Sequence, residues 1–259
     1  MMYDKLPAVM TDAPSPAVSN QYVFLDTKEI INTLKEQAWN VVDARQVKPK
    51  RRDQNFVKHM LRFRQERPVE LHGTVPEIVV TNSHDTYAGF RMFAGLYRFV
   101  CLNGMVIGQD VFEMKAKHIG GVKELISTSL AHLTKEVFPT LEDRIKAWLA
   151  IQLNEAQRIQ YAVRALELKA SGSTSVPAHL LGIRRFEDKA MDLWTTYNVV
   201  QENIMKGGIQ SYSILSGNTV TSRPIKAIDS TVRLNRALWE LTERTAKEIV
   251  SAPQLAKMS

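Results

Sequence analysis

The sequence predicts an α+β protein: an N-terminal helix and an antiparallel sheet, followed by a helical C-terminal half. Two patterns carry that expectation. Between residues 40 and 118 short runs alternate apolar and polar side chains, the period of two expected of strands with one face on a core and one in water. From Gly121 onward apolar residues recur every three or four positions, as on helices that bury one stripe.

Residues 1–20 hold three prolines and little periodicity, and are expected to form a flexible arm. In "DTKEIINTLKEQAW" Asp26 can cap a helix with Glu29 three positions on, and Ile30, Leu34 and Ala38 form its buried stripe. "NVVDARQV", "FVKHMLRFR" and "EIVV" follow as strands, and "VFEMKAKH" is a later one. The intervening "YAGFRMFAGLYRFVCLNGMVIG" is ambiguous: Phe90, Phe93, Tyr97 and Val100 fit a helix, and its end fits a strand equally well. Val122, Leu125, Ile126, Ser129, Leu130 and Leu133 make a helical stripe that should end near Pro139. Thr140, with Asp143 in the capping-box position, starts a longer helix to about Lys169. "SGSTSVP" is a linker, and a helix from about Phe186 to Lys206 stops at Gly207 and Gly208. Residues 209–224 look like loop, and a last helix runs from about Ser230 to Val250. The expected organisation is an arm (1–20), a helix and sheet core with long helices (21–170) and a C-terminal helical region (171–259).

The chain of 259 residues is 44% hydrophobic and 24% charged, an ordinary globular balance that can bury a core. Its formal charge of +7 favours polyanions as partners. Cys101 is the single cysteine, which rules out an internal disulfide and a cysteine-rich zinc site. No apolar run reaches membrane-spanning length and the N-terminus lacks a signal-peptide pattern, so a cytoplasmic protein is expected. There is no phosphate-cradling glycine loop, no dinucleotide fingerprint and no His-Glu-x-x-His spacing, so neither cofactor nor nucleotide hydrolysis is expected. His84 beside Asp85 in "TNSHDTY" is the one suggestive acid/base or metal pair, set against a turn-capping role for Asn82, Ser83 and Asp85. Glu142 and Asp143 belong to a helix first turn, where acids complement the dipole.

The basic residues are the more telling group. "VKPKRRDQNFVKHMLRFRQER" packs eight Lys or Arg against two acids and then alternates like a strand. Val57, His59, Leu61 and Phe63 point one way, while Lys58, Met60, Arg62 and Arg64 point the other. Arg45, Lys115 and Lys117 lie on the polar parity of their own strands, so the wet sheet face should be basic. That face could neutralise a phosphate backbone, with Phe56 and Met60 available to bases; the competing account is a solvated edge strand. Arg184 and Arg185 precede the polar-aromatic helix "DLWTTYNVVQENIMKGG", and Arg223, Lys226, Arg233 and Arg236 follow it. In that helix Trp194, Asn198, Gln201 and Glu202 share a face beside Tyr197, and could read bases or form a buried amide network.

"VVTNSHD", "FRMFAGLYRFVCLNGMVIG", "KHIGG" and "LWTTYNVVQENIMKGG" together resemble a family of phage- and plasmid-borne proteins, the domain of unknown function numbered 932. The resemblance spans roughly residues 25 to 245. It implies a mobile-element origin and a role in handling or protecting nucleic acid, and it brings no catalytic residues. The order of helix, antiparallel strands and long helix also looks like the core of phage single-strand annealing recombinases, an analogy of fold alone. The function expected is ATP-independent binding of single-stranded DNA by a homo-oligomer, extending to strand annealing. The candidate contacts are Arg45, Lys58, Arg62, Arg64, Lys115, Lys117, Arg184, Arg185, Arg223 and Lys226. The competing expectations are a regulatory or anti-defence protein that binds a host protein, and a nuclease using His84 and Asp85.

Overall fold

The structure, a computed structural model, describes residues 2–98, 103–106, 112–113, 121–169, 174–175, 177–212 and 218–251. The chain divides into two units, Met1–Leu141 and Glu142–Ser259, where the sequence suggested a boundary near residue 170.

In the first unit the N-terminal segment is not a loose arm. Its short helix α1 (Pro7–Met10) buries Ala8 and Val9 completely. Helix α2 (Thr27–Glu36) starts where Asp26 accepts a hydrogen bond from the Lys28 amide, and it buries Ile30, Ile31 and Leu34. It ends before Ala38, which is exposed in a left-handed conformation (φ 63°) instead of extending the stripe.

The expected sheet is present and wholly antiparallel. It comprises β1 (Trp39–Gln46), β2 (His59–Gln65), β3 (Thr74–Asn82), β4 (Arg91–Arg98) and β5 (Asn103–Val106) in that order, with β6 (Phe112–Glu113) also paired to β4. The ambiguous stretch is therefore strand over residues 91–98, not helix. Its periodicity was hidden because Met92, Ala94 and Leu96 on one face and Phe93 on the other are all buried. The same is true of β2 and β3, where Leu61 and Phe63 are buried on one face and Met60 and Val79 on the other. The expected wet face is thus largely a second buried face.

Helix α3 (Val122–His132) does not stop near Pro139. It passes through a π turn (Leu133–Val137), in which the Phe138 amide donates to the Leu133 carbonyl, into α4 (Phe138–Ala150), and Pro139 follows directly on that wider turn. Thr140 donates its hydroxyl to the Val137 carbonyl at 2.8 Å, so it is not a cap. The long second helix expected here is interrupted at residues 151–154. There Asn154 and Gln157 exchange backbone-to-side-chain hydrogen bonds of 2.9 Å, a reciprocal cap that starts α5 (Glu155–Lys169).

In the second unit α6 (Leu193–Lys206) is the central element, with every residue from Leu193 to Ile204 buried. It begins seven residues later than expected, at an Asp192 cap whose carboxylate accepts from the Thr195 amide at 2.7 Å. The preceding residues form two 3₁₀ turns (Pro177–Leu181 and Phe186–Lys189). Gly207 ends α6 at φ 70°, and a Cβ there would sit 2.6 Å from the Ser222 carbonyl oxygen, so only glycine fits. The segment expected to be loop contributes β8 (Gln210–Tyr212) and β9 (Thr219–Thr221); β8 pairs with β9 on one side and with β7 (Thr174–Ser175) on the other in a small antiparallel sheet. Helix α7 (Ile228–Ser251) closes the unit, burying Leu234, Leu238 and Trp239. Among the described residues no helix is long and apolar enough to cross a membrane.

Candidate nucleic-acid interface

The basic residues expected to share one face meet different fates. Register places Arg62 beside Asp43 on β1 and Val79 on β3, and Arg64 beside Glu77. Glu77 is fully buried and takes both guanidinium groups. Arg62 Nε donates to its Oε2 at 2.7 Å, and Arg64 Nη2 donates to its Oε1 at 2.6 Å. Tyr97 packs its ring against both, 4.2 Å from Arg64 Cζ and 5.0 Å from Arg62 Cζ. Arg62 is only 7% exposed, and Met60 beside it is buried. These strand side chains form an internal ionic cluster, which corrects the expectation of a solvated basic face.

Arg45 Nε lies 2.9 Å from Asp43 Oδ2, Lys58 is half-buried, and Lys115 and Lys117 lie outside the described residues, as does Cys101. Arg184 donates to Asn203 Oδ1 at 2.8 Å, and Arg185 grips both Glu202 oxygens. Burial alone would push the Glu202 carboxyl up, but its hydrogen bonds and ion pairs with Arg185 and Lys206 outweigh that and hold it below the usual range. Gln201 donates to Asn235 Oδ1 at 2.9 Å, and Asn198 donates to the Trp194 carbonyl at 2.8 Å. The polar-aromatic helix therefore spends its amides internally, as the buried-network account requires. Arg223 and Lys226 remain exposed between β9 and α7.

What the fold does expose is the β1–β2 loop. Lys48, Lys50, Arg51 and Arg52 stand in solvent within five consecutive positions. In an antiparallel meander the β1–β2 and β3–β4 loops emerge at the same end, and Arg52 connects them here. Its Nη1 reaches Asp85 Oδ2 at 3.1 Å, and its Cζ lies 4.4 Å from the centroid of Tyr87. Tyr87 is 77% exposed, held at the tip by a turn in which its amide donates to Asp85 Oδ1. An exposed aromatic ring next to a loop of exposed cations can stack a base while the cations meet phosphates.

The Thr-Asn-Ser-His-Asp run is the frame of this tip. The His84 amide donates to the Phe56 carbonyl and the His84 carbonyl accepts from the Ser15 amide, both at 2.8 Å. His84 Nε2 lies 3.0 Å from the Ala8 carbonyl oxygen, to which it donates in the neutral ring. Gln46 extends the tie, accepting from the Ala8 amide and donating to the Gln54 carbonyl, each at 2.9 Å. His84 and its neighbour His59 are buried, with ring centroids 5.2 Å apart. Burial and then the His84 ring push His59 down to about 3, against the hydrogen bond to the Val57 carbonyl. Burial likewise lowers His84, with the Ala8 carbonyl, Asp26 and Asp85 acting the other way. The suggested His84–Asp85 pair is thus a buried tie beside a carboxylate already engaged with Arg52. Among the described residues no group of three or more His, Cys, Asp or Glu could hold a metal ion.

The basic run is plain in the sequence, but its exposed charge lies on the loop and not on the strand that follows it. Pro49, Asp53 and Asn55 around the four cations were the available turn signal. Tyr87 gave none, since an aromatic in a turn is not distinguishable by periodicity.

The chain is similar to known proteins over most of its length. Two Escherichia coli (strain K12) proteins, UPF0380 protein YfjQ and UPF0380 protein YafZ, are each 32% identical to it over 248 residues. Each alignment covers 93% of this chain and 89% of the relative. No solved structure matches. The family model described as Domain of unknown function (DUF932) matches residues 16–239, which takes in the helix, the sheet, the basic tip and α6, and the chain belongs to that family.

Proposed function

We propose that this protein binds single-stranded nucleic acid, DNA foremost, through the tip formed by the β1–β2 and β3–β4 loops. Lys48, Lys50 and Arg51 neutralise phosphates, while Arg52, held by Asp85, backs the ring of Tyr87 that stacks a base. Binding needs no nucleotide hydrolysis, and several copies of the chain act along one strand, which is the arrangement that strand annealing requires. The observation that carries this reading is the solvent exposure of four cations on the β1–β2 loop, one of which, Arg52, reaches a 77% exposed tyrosine on a hydrogen-bonded turn. It moves the contact surface from the strand residues Arg62 and Arg64, which serve Glu77, to the loop that precedes them.

Gel shifts with single- and double-stranded DNA at two salt concentrations test it. The combined change Lys48→Ala, Lys50→Ala and Arg51→Ala should weaken single-strand binding more than tenfold. It should also lower the log–log salt slope by about 2, at roughly 0.7 per lost phosphate contact. Lys28→Ala with Lys35→Ala, on α2, is the control and should change little. Parental binding by the loop variant at both salt concentrations would refute the assignment. Capture of a host protein by chains that bind no DNA would favour the protein-partner reading instead.

A further inference from the structure

We infer that residues 182–191 of the second unit form another base-stacking platform for single-stranded nucleic acid, an inference that rests on the function proposed above. Phe186 is 77% exposed, and Ile183 and Met191 near it are also exposed. One exposed apolar side chain would mean little, but three large ones exposed within nine residues are informative. Lys189 holds its ammonium 4.0 Å from the Phe186 ring centroid, and Arg184 is exposed two residues before it. The arrangement is that of Arg52 on Tyr87: an aromatic ring in solvent with a cation against it. A base can stack on the ring while Lys189 and Arg184 meet the flanking phosphates. A purely apolar partner would satisfy the ring and desolvate the cations, whereas a nucleotide satisfies both.

The platform is held from beneath. Asn203 on α6 donates to the carbonyls of Leu180 and Gly182, both at 2.9 Å, and Arg185 is clamped to Glu202. Asp188 is buried, with its amide donating to the Arg185 carbonyl at 3.2 Å, and the Met191 carbonyl accepts from the Leu153 amide at 2.9 Å. Every third residue, Gly182, Arg185, Asp188 and Met191, is thus tied down while Ile183, Phe186 and Lys189 are exposed. A rigid mount is what lets an exposed ring bind without an ordering cost.

The test is ultraviolet cross-linking of the full chain to an oligonucleotide rich in 5-iodouracil, with the adducts mapped by peptide mass spectrometry. Adducts are expected on the Tyr87 peptide and, separately, on the Phe186 peptide. Phe186→Ala should abolish only the second adduct. Phe186→Ala with Lys189→Ala should weaken binding of a long single strand about tenfold, with melting unchanged because both side chains are exposed. An adduct at Tyr87 alone, with parental affinity in the double variant, would overturn the second platform and leave the proposed function standing. No adduct at either ring, with no single-strand binding, would overturn both. An adduct at Phe186 alone would uphold this platform and refute the loop.

Discussion

Glu77 decides how the strand arginines behave. A fully buried carboxylate is tolerable only with charged partners, and Arg62 and Arg64 supply them from the next strand. Removing one side of such a pair leaves an uncompensated buried charge, which typically costs about 3–5 kcal/mol. Arg62→Ala with Arg64→Ala should therefore lower unfolding free energy in a denaturant titration by that order, whatever it does to DNA. A double variant that unfolds like the parent would show that Glu77 does not depend on them. The sequence revealed the parity of these residues correctly. It could not reveal their burial, because alternation says which residues share a face and not whether that face is covered. The histidine pair makes a second prediction at this scale. His59 is held neutral when folded, from an ordinary 6.5 down to about 3, and so binds its proton more weakly than in the unfolded chain. Its contribution is complete above pH 6.5 and is lost progressively as pH falls from there toward 3. At pH 5 the loss from His59 alone amounts to about 2 kcal/mol. Denaturant unfolding at pH 7 and pH 5 should show it, and His59→Asn should reduce the difference between the two pH values. An equal difference in parent and variant would place the pH dependence elsewhere.

At the level of elements, the legible parts were those with one dominant signal. The Asp26 cap, the strands β1 and β2 and the glycine pair after Lys206 all appear where their local chemistry put them. Elements buried on two sides were harder. Strand β4 and helix α6 are apolar or hydrogen-bonded all round, so neither a period of two nor one of 3.6 stands out. The start of α6 was misplaced because Phe186, Asp188 and Lys189 continue a plausible helical pattern, while Asp192 is the cap actually used. Asn203 shows what the buried amides of that helix do. Its side chain joins α6 to the 3₁₀ segment through two donated hydrogen bonds, and it accepts a third from Arg184. Asn203→Ala strands two carbonyls and should cost about 2 kcal/mol. The loosened segment should be cut faster by protease between residues 182 and 191 while α6 stays protected. Uniform protection across the variant would mean that the 3₁₀ segment is held by other contacts.

At the scale of the whole molecule, the net charge of +7 is less informative than its distribution. Cations in Arg62, Arg64 and Arg185 are already matched to buried carboxylates, so they cannot release DNA counterions without first abandoning those partners. Lys48, Lys50 and Arg51 are exposed and, among the described residues, grip no buried carboxylate, so the salt dependence at the loop should be set by them. Three phosphate contacts from Lys48, Lys50 and Arg51 give a slope of about −2 for an oligonucleotide short enough to occupy the loop alone. Raising salt from 50 to 200 mM should then weaken that complex about twentyfold. So shallow a dependence implies modest affinity per chain, and useful binding to a long strand requires several chains acting together. Light scattering should accordingly show a homo-oligomer, and the slope measured on a long strand should grow with the number of chains bound. A strict monomer with and without DNA, and a slope that stays near −2 at every strand length, would rule out cooperative coverage. Strand annealing would then lose its physical basis even if the loop still bound DNA.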